Sequence, residues 1–129
     1  MEISFDKKIT GEQEMVVTEN NSAKYFGSEL DGILGTPALV GFMETTAQKS
    51  VLKSLPPGYI TIGYEVSVNH LKIVKVGKTI KCITELIKTE GKKLFFKAIV
   101  TNNNDVIGEA TLSQYLVEAA KVKRILPRF

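Results

Sequence analysis

The stretch from Gly35 to Lys53, GTPALVGFMETTAQKSVLK, constrains this chain more than any other. Pro37 stands where a first helical residue belongs, and Thr36 before it can cap a helix with its hydroxyl. From Ala38 to Met43 every residue is apolar or glycine. The front half of the predicted helix therefore has no wet face, and a helix that is apolar all round belongs in a core. Glu44 then interrupts the run, with Thr45 and Thr46 behind it. A carboxylate in such a place is costly to bury without a partner. It reaches a rim, pairs with a cation, or serves chemistry.

What surrounds this helix narrows the fold. At 129 residues the chain is expected to form one domain, residues 1–129, with a core that needs no staples. Its single cysteine, Cys82, excludes an intramolecular disulfide framework and lies in an alternating stretch, where a small core residue is expected. No basic-then-apolar leader opens the sequence MEISFDKKIT, and no apolar run approaches membrane-spanning length. No membrane partner and a cytoplasmic location are the expectation. Charge is unevenly spread: residues 1–65 carry five lysines against nine acids (−4), and residues 66–129 twelve basic residues against five acids (+7). A basic second half can attract an anionic small molecule. Neither an aromatic-interleaved basic strand nor a recognition-helix pattern stands out, so nucleic acid is not an expected partner.

Before the helix, weak alternation at Ile3, Phe5 and Met15–Thr18 predicts an edge strand. Residues 23–35 mix apolar residues with Gly27, Gly32 and Gly35, which reads as a short helix or ordered loop, a lid or a plain connector. After the helix, Leu55-Pro56-Pro57-Gly58 breaks the chain and strands follow. Ile60–Leu71 alternates, with Tyr64, Val66, Val68 and His70 on one face and Gly63, Glu65, Ser67 and Asn69 on the other. Thr79–Thr89, Lys93–Thr101 and Val106–Glu118 complete four strands after the helix, joined by turns at Glu90-Gly91 and Asn102–Asp105. No strand–helix repeat and no glycine-rich phosphate loop is present. The expectation is an α+β fold in which an antiparallel sheet wraps one long central helix.

Chemistry rests on few residues. His70 is the only histidine and lies on the apolar face of its strand. One His and one Cys without ligand-like spacing make a poor metal site, so no metal is expected. If the His70 strand face looks inward, it looks at the helix carrying Glu44, and a carboxylate with an imidazole in a partly dry pocket can act as an acid–base pair. Thr36 has an adequate explanation as a cap, yet the helix N-terminus also offers free N–H groups to an oxyanion. Thr36 and Glu44 are eight residues apart, roughly 12 Å along a helix axis. They would act at opposite ends of a reacting group, or from different subunits.

The chain resembles the hotdog fold of acyl-CoA thioesterases and dehydratases, and within it the fluoroacetyl-CoA thioesterase family. The matching pieces are Thr36 ahead of Val40-Gly41-Phe42-Met43-Glu44, then Ile62-Gly63, Val68-Asn69-His70-Leu71, Val76-Gly77-Lys78-Thr79 and Ile107-Gly108-Glu109-Ala110-Thr111. The likeness covers roughly residues 30–118 and keeps the separations of Thr36, Glu44 and His70 without a gap. It implies that Glu44 is nucleophile or general base on a thioester carbonyl. His70 would serve water or the leaving thiolate, and Thr36 would orient the carboxylate and acyl oxygen. Gly63 would let substrate approach the backbone; Phe26, Leu30, Asn69 and Lys72 would contact it. The resemblance implies an acyl-CoA substrate, no cofactor and a homodimer or higher homo-oligomer. One departure stands out: where the fluoroacetate specialist has gating phenylalanines, this chain has Gly27 and Leu30, with Phe26 adjacent. That implies a broader acyl-CoA substrate. The rivals are a non-catalytic acyl-CoA-binding module and an enoyl-CoA hydratase or dehydratase.

Overall fold

The computed structural model of the protein describes Phe5 and residues 8–129. Ile3, part of the expected N-terminal strand, lies outside the described residues. The long helix α1 spans Thr36–Leu52. Its N-cap is Gly35, extended at φ −83° and ψ 145°, and Thr36 is the first helical residue. The expected Thr36 hydroxyl cap is therefore absent. Pro37 occupies the first turn, where its missing N–H costs nothing.

Leu39, Phe42, Met43, Thr46, Ala47 and Val51 are buried, an i, i+3, i+4, i+7 stripe. The helix is not dry on every side. Pro37, Gly41, Thr45 and Lys49 form an exposed stripe, because one chain's sheet curls around only one side of it. Beyond Lys53, Pro56 and Pro57 stop the helix and Gly58 turns the chain at φ 84°.

Five antiparallel strands pack against α1: β1 (Thr10–Val16), β2 (Tyr59–His70), β3 (Thr79–Glu90), β4 (Lys93–Asn102) and β5 (Asp105–Glu118). Their order across the sheet is β1-β3-β4-β5-β2. β3, β4 and β5 form a meander, and the strands on either side of α1 in the chain become the two edges. Asn103 and Asn104 adopt φ 48° and 71°, the paired left-handed positions of a two-residue hairpin turn between β4 and β5. A short helix, α2 (Ala119–Ile125), follows β5.

The core lies between α1 and the inward sheet face. Leu39 and Met43 are among its fully buried residues, with Ile80, Cys82, Leu94, Phe96, Ala98 and Val100 from the central strands. Burial of each large apolar side chain contributes about 1.5–3 kcal/mol. Cys82 behaves as one of these core groups: burial pushes its thiol up to about 11. In β5, Ile107 is buried and Val106 is exposed, because the register with β4 shifts between Val100 and Thr101.

β2 departs from simple alternation, and the departure shapes the site. Its register with β5 shifts between Gly63 and Glu65. A bulge adds one residue to one strand and so exchanges the faces beyond it. Gly63 pairs with Gln114 and His70 with Gly108, both on the helix side of β5. Gly63 thus shares the inward face with Val66, Val68 and His70, contrary to the expected alternation. Asn69 faces outward.

Candidate active site

The N-terminus of α1 and the end of β2 bring Thr36 and His70 together. Thr36 Oγ1 lies 2.8 Å from His70 Nδ1, a hydrogen bond whose donor depends on the imidazole tautomer. Losing its capping role leaves the Thr36 hydroxyl free for this contact. His70 Nε2 is buried without a hydrogen-bond partner among the described residues. Burial lowers the His70 pKa below its usual 6.5, and the Lys72 backbone offsets part of that effect. A neutral imidazole with one nitrogen held and one free can take or give a proton at the free nitrogen.

Two turns along α1, Glu44 points at the β2 bulge. A Cβ built on Gly63 would collide with Glu44 Oε2 and stand 3.5 Å from its Cδ. Glycine at position 63 is therefore what lets the carboxylate lie against the strand backbone. Gln114 and Thr61 hold the helix in register at this point. Gln114 Nε2 donates to the Glu44 backbone carbonyl at 3.1 Å, and Thr61 Oγ1 donates to Gln114 Oε1 at 2.7 Å. Gln48 Nε2 adds a 3.2 Å bond to the Thr61 carbonyl. Glu44 is half-buried and lines a cleft of about 380 Å³ with Gly41, Thr45, Gly63 and Gln114. Gln114 and Thr61 were not among the expected site residues. Their signal was a glutamine placed inward within the apolar strand Leu112–Val117.

The two clusters stand apart within one chain. No hydrogen bond joins the Glu44 carboxylate to Thr36 or His70 among the described residues. Glu44 is eight residues along α1 from Thr36, about 12 Å. Gly63 is seven residues along β2 from His70, about 23 Å. The other expected contact residues are scattered. Phe26, on a turn of Lys24–Phe26, is 45% exposed and lies against Gly35 and the α1 N-terminus. Leu30 is 62% exposed in the loop before α1. Asn69 lies on the face of β2 opposite His70, and Lys72 forms a 3.7 Å ion pair with Asp105.

Residues 17–120 match the family described as fluoroacetyl-CoA-specific thioesterase. A fluoroacetyl-CoA thioesterase from Streptantibioticus cattleyicolor is 26% identical over 94 residues, covering 73% of this chain and 68% of that protein. A hot-dog-like protein from Thermanaerovibrio acidaminovorans superposes with a TM-score of 0.86 at 17% identity, over 97% of this chain and 93% of that one. A variant of the fluoroacetyl-CoA thioesterase in complex with acetyl-CoA superposes with a TM-score of 0.85 at 20% identity, over 98% of both chains. The last two similarities establish the hotdog fold, and the family match covers most of the chain. The chain belongs to the fluoroacetyl-CoA-specific thioesterase family, whose activity is the hydrolysis of an acyl-CoA thioester.

Proposed function

We propose that the protein hydrolyses its acyl-CoA substrate in a site completed by two copies of the chain, Glu44 from one and Thr36 with His70 from the other. The observation that carries this reading is the Thr36–His70 hydrogen bond, which leaves a buried imidazole nitrogen free. Glu44 is presented separately, against Gly63.

Edge strand β2 supports a pairing of subunits. Among the described residues its outer edge has no partner strand, and Ile62, Tyr64 and Val66 are exposed along it at 47%, 57% and 36%. Long apolar edges of this kind invite pairing. An antiparallel pair with its two-fold axis between Val66 and Ser67 would set Gly63 across from His70 of the partner subunit. Glu44 would then face the imidazole it does not reach in its own chain, and a two-fold axis would make two such sites.

In this site Glu44 acts on the thioester carbonyl as nucleophile, or as the base that deprotonates water. Its partner group, His70, moves a proton at Nε2, and Thr36 fixes the ring through Nδ1. With Glu44 as base, the oxygen of water bonds to the acyl carbon, the C–S bond breaks and the departing sulfur takes a proton, giving free CoA thiol and the acid. With Glu44 as nucleophile, the same C–S cleavage leaves an acyl–Glu44 anhydride, which water then hydrolyses to the acid and the free carboxylate. Gly63 lets the carbonyl approach the backbone, and Phe26 and Leu30 flank the acyl group. Lys72 and other basic residues of the second half attract the coenzyme phosphates, while Asn69 lies near the seam. The substrate is an acyl-CoA broader than fluoroacetyl-CoA, since Gly27 and Leu30 leave no aromatic gate. The cytoplasm, where such thioesters are made and used, is the proposed location.

Purified protein incubated with acyl- and enoyl-CoAs tests the reading by release of free thiol. Thiol release that is lost in both Glu44→Ala and His70→Ala supports it. Unchanged release in both variants removes the assigned residues, and binding without thiol release returns the non-catalytic alternative.

A further inference from the structure

Gly41 sits in the interior of α1 without a conformational reason to be glycine. It is absent from the positive-φ residues, and glycine in a helix interior is less stable than alanine there. Nor does a neighbour exclude a side chain, for a Cβ built on it meets nothing within 4 Å. Its effect is on the shape of the exposed ridge of α1.

Two clefts flank that ridge, and Gly41 and Thr45 line both. On the β2 side lies the cleft of Glu44 and Gly63. On the β1 side lies a cleft of about 440 Å³ with Met15, Phe26, Pro37, Ala38 and Phe42 in its wall. The first is polar at its reacting end; the second is apolar along α1 and at Met15 and Phe26, with Gln13, Glu14 and Asn21 also in its wall. Between them the ridge is low, because Gly41 has no side chain and the Thr45 hydroxyl turns back to bond the Gly41 carbonyl.

We propose that the acyl tail crosses α1 over Gly41, from the reacting end at Glu44 into the apolar cleft beside Phe26, so that the substrate class is a medium-length apolar acyl-CoA. This rests on the thioesterase reading above. From Glu44 back to Pro37 the helix rises about 10 Å, a span that an extended octanoyl tail nearly matches, a hexanoyl tail enters and an acetyl group does not reach across. Each methylene transferred from water into such a cleft strengthens binding about fourfold.

The test is a kcat/KM series over acetyl-, butyryl-, hexanoyl- and octanoyl-CoA for the full chain and for Gly41→Ala and Gly41→Val. The wild-type protein is expected to improve about fourfold per methylene up to hexanoyl. Gly41→Val, which raises the ridge, is expected to lower the hexanoyl-to-acetyl ratio at least about tenfold, and Gly41→Ala to lower it less. Alanine favours the helix, so Gly41→Ala keeps or raises the melting temperature and a loss of ratio in it reports the substrate path. A wild-type preference for acetyl-CoA overturns the inference, as does a ratio that neither variant moves. Dissociation of the dimer by Gly41→Val with an unchanged ratio overturns it too, assigning the glycine to subunit contact. In those cases the thioesterase reading stands; it falls only if the wild-type protein releases thiol from none of the four.

Discussion

Replacing Gly63 with alanine separates the role of this residue in folding from its role in the site. The new methyl would collide with Glu44 Oε2, with Glu44 Cδ at 3.5 Å. Only the far end of a flexible side chain stands in the way, so the backbone keeps its place and the carboxylate moves. Gly63 is not among the positive-φ glycines, and alanine adopts its conformation without strain. Folding stability should change by no more than about 1 kcal/mol in either direction, the range for Gly→Ala at a compatible position. Activity should respond far more. Moving a catalytic group by about 1 Å costs roughly a hundredfold in rate, which is about 2.7 kcal/mol of transition-state stabilisation. Thiol release under kcat/KM conditions, alongside thermal unfolding, gives both numbers from one preparation. A variant with wild-type stability and wild-type kcat/KM would refute the argument that the Glu44–Gly63 contact sets the position of the reacting carboxylate.

Thr36→Val keeps the shape of the residue and deletes the hydroxyl held by His70 Nδ1; kcat/KM should fall about tenfold or more with little change in melting temperature. A fall in stability without a fall in activity would return Thr36 to a structural role. His70 has its pKa lowered, chiefly by burial, so its neutral form persists below pH 6.5. The acid limb of kcat/KM should therefore have its midpoint below 6.5, and a midpoint above that value would contradict a neutral working imidazole. The same shift makes the unfolded chain bind the proton more readily. His70 contributes full stability above pH 6.5, and that contribution is lost as pH falls from 6.5 through the native pKa; melting curves of wild type against His70→Gln measure it. Gly108→Val places a side chain where a Cβ already meets Leu39 Cδ2 at 2.9 Å and the Asn69 carbonyl at 3.5 Å. Overpacking there should cost about 1–3 kcal/mol by chemical denaturation, and an unchanged midpoint would show that Leu39 relaxes freely.

Periodicity and turn chemistry carried much of this architecture. The apolar run around Leu39 and Met43, Pro37 at its start and the double proline at its end mark α1 almost to the residue. Asn103 and Asn104 mark the last hairpin because few other residues accept paired positive φ. What periodicity could not show was the bulge after Gly63. One extra residue exchanged the faces of β2, so Gly63 and His70, which differ in parity, came to share a side. Thr36 was misplaced by one position for a related reason: a threonine before proline at a helix start reads as a cap, and the contact with His70 that claims its hydroxyl lies 34 residues away. The inward Gln114 escaped notice because its partners, the Glu44 carbonyl and the Thr61 hydroxyl, come from two other elements. The exposed stripe of α1 was equally hidden, since an apolar run does not tell how far a sheet wraps around it.

Mixing two inactive variants tests most directly whether the constellation is split between subunits. Glu44→Gln and His70→Ala chains, each purified and then combined under conditions that exchange subunits, should regain thiol release. A mixed dimer would keep one intact site and one doubly altered site, so equal mixing should restore about a quarter of wild-type turnover. Subunit exchange that leaves both variants as inactive together as they are apart would contradict a site shared across the pair.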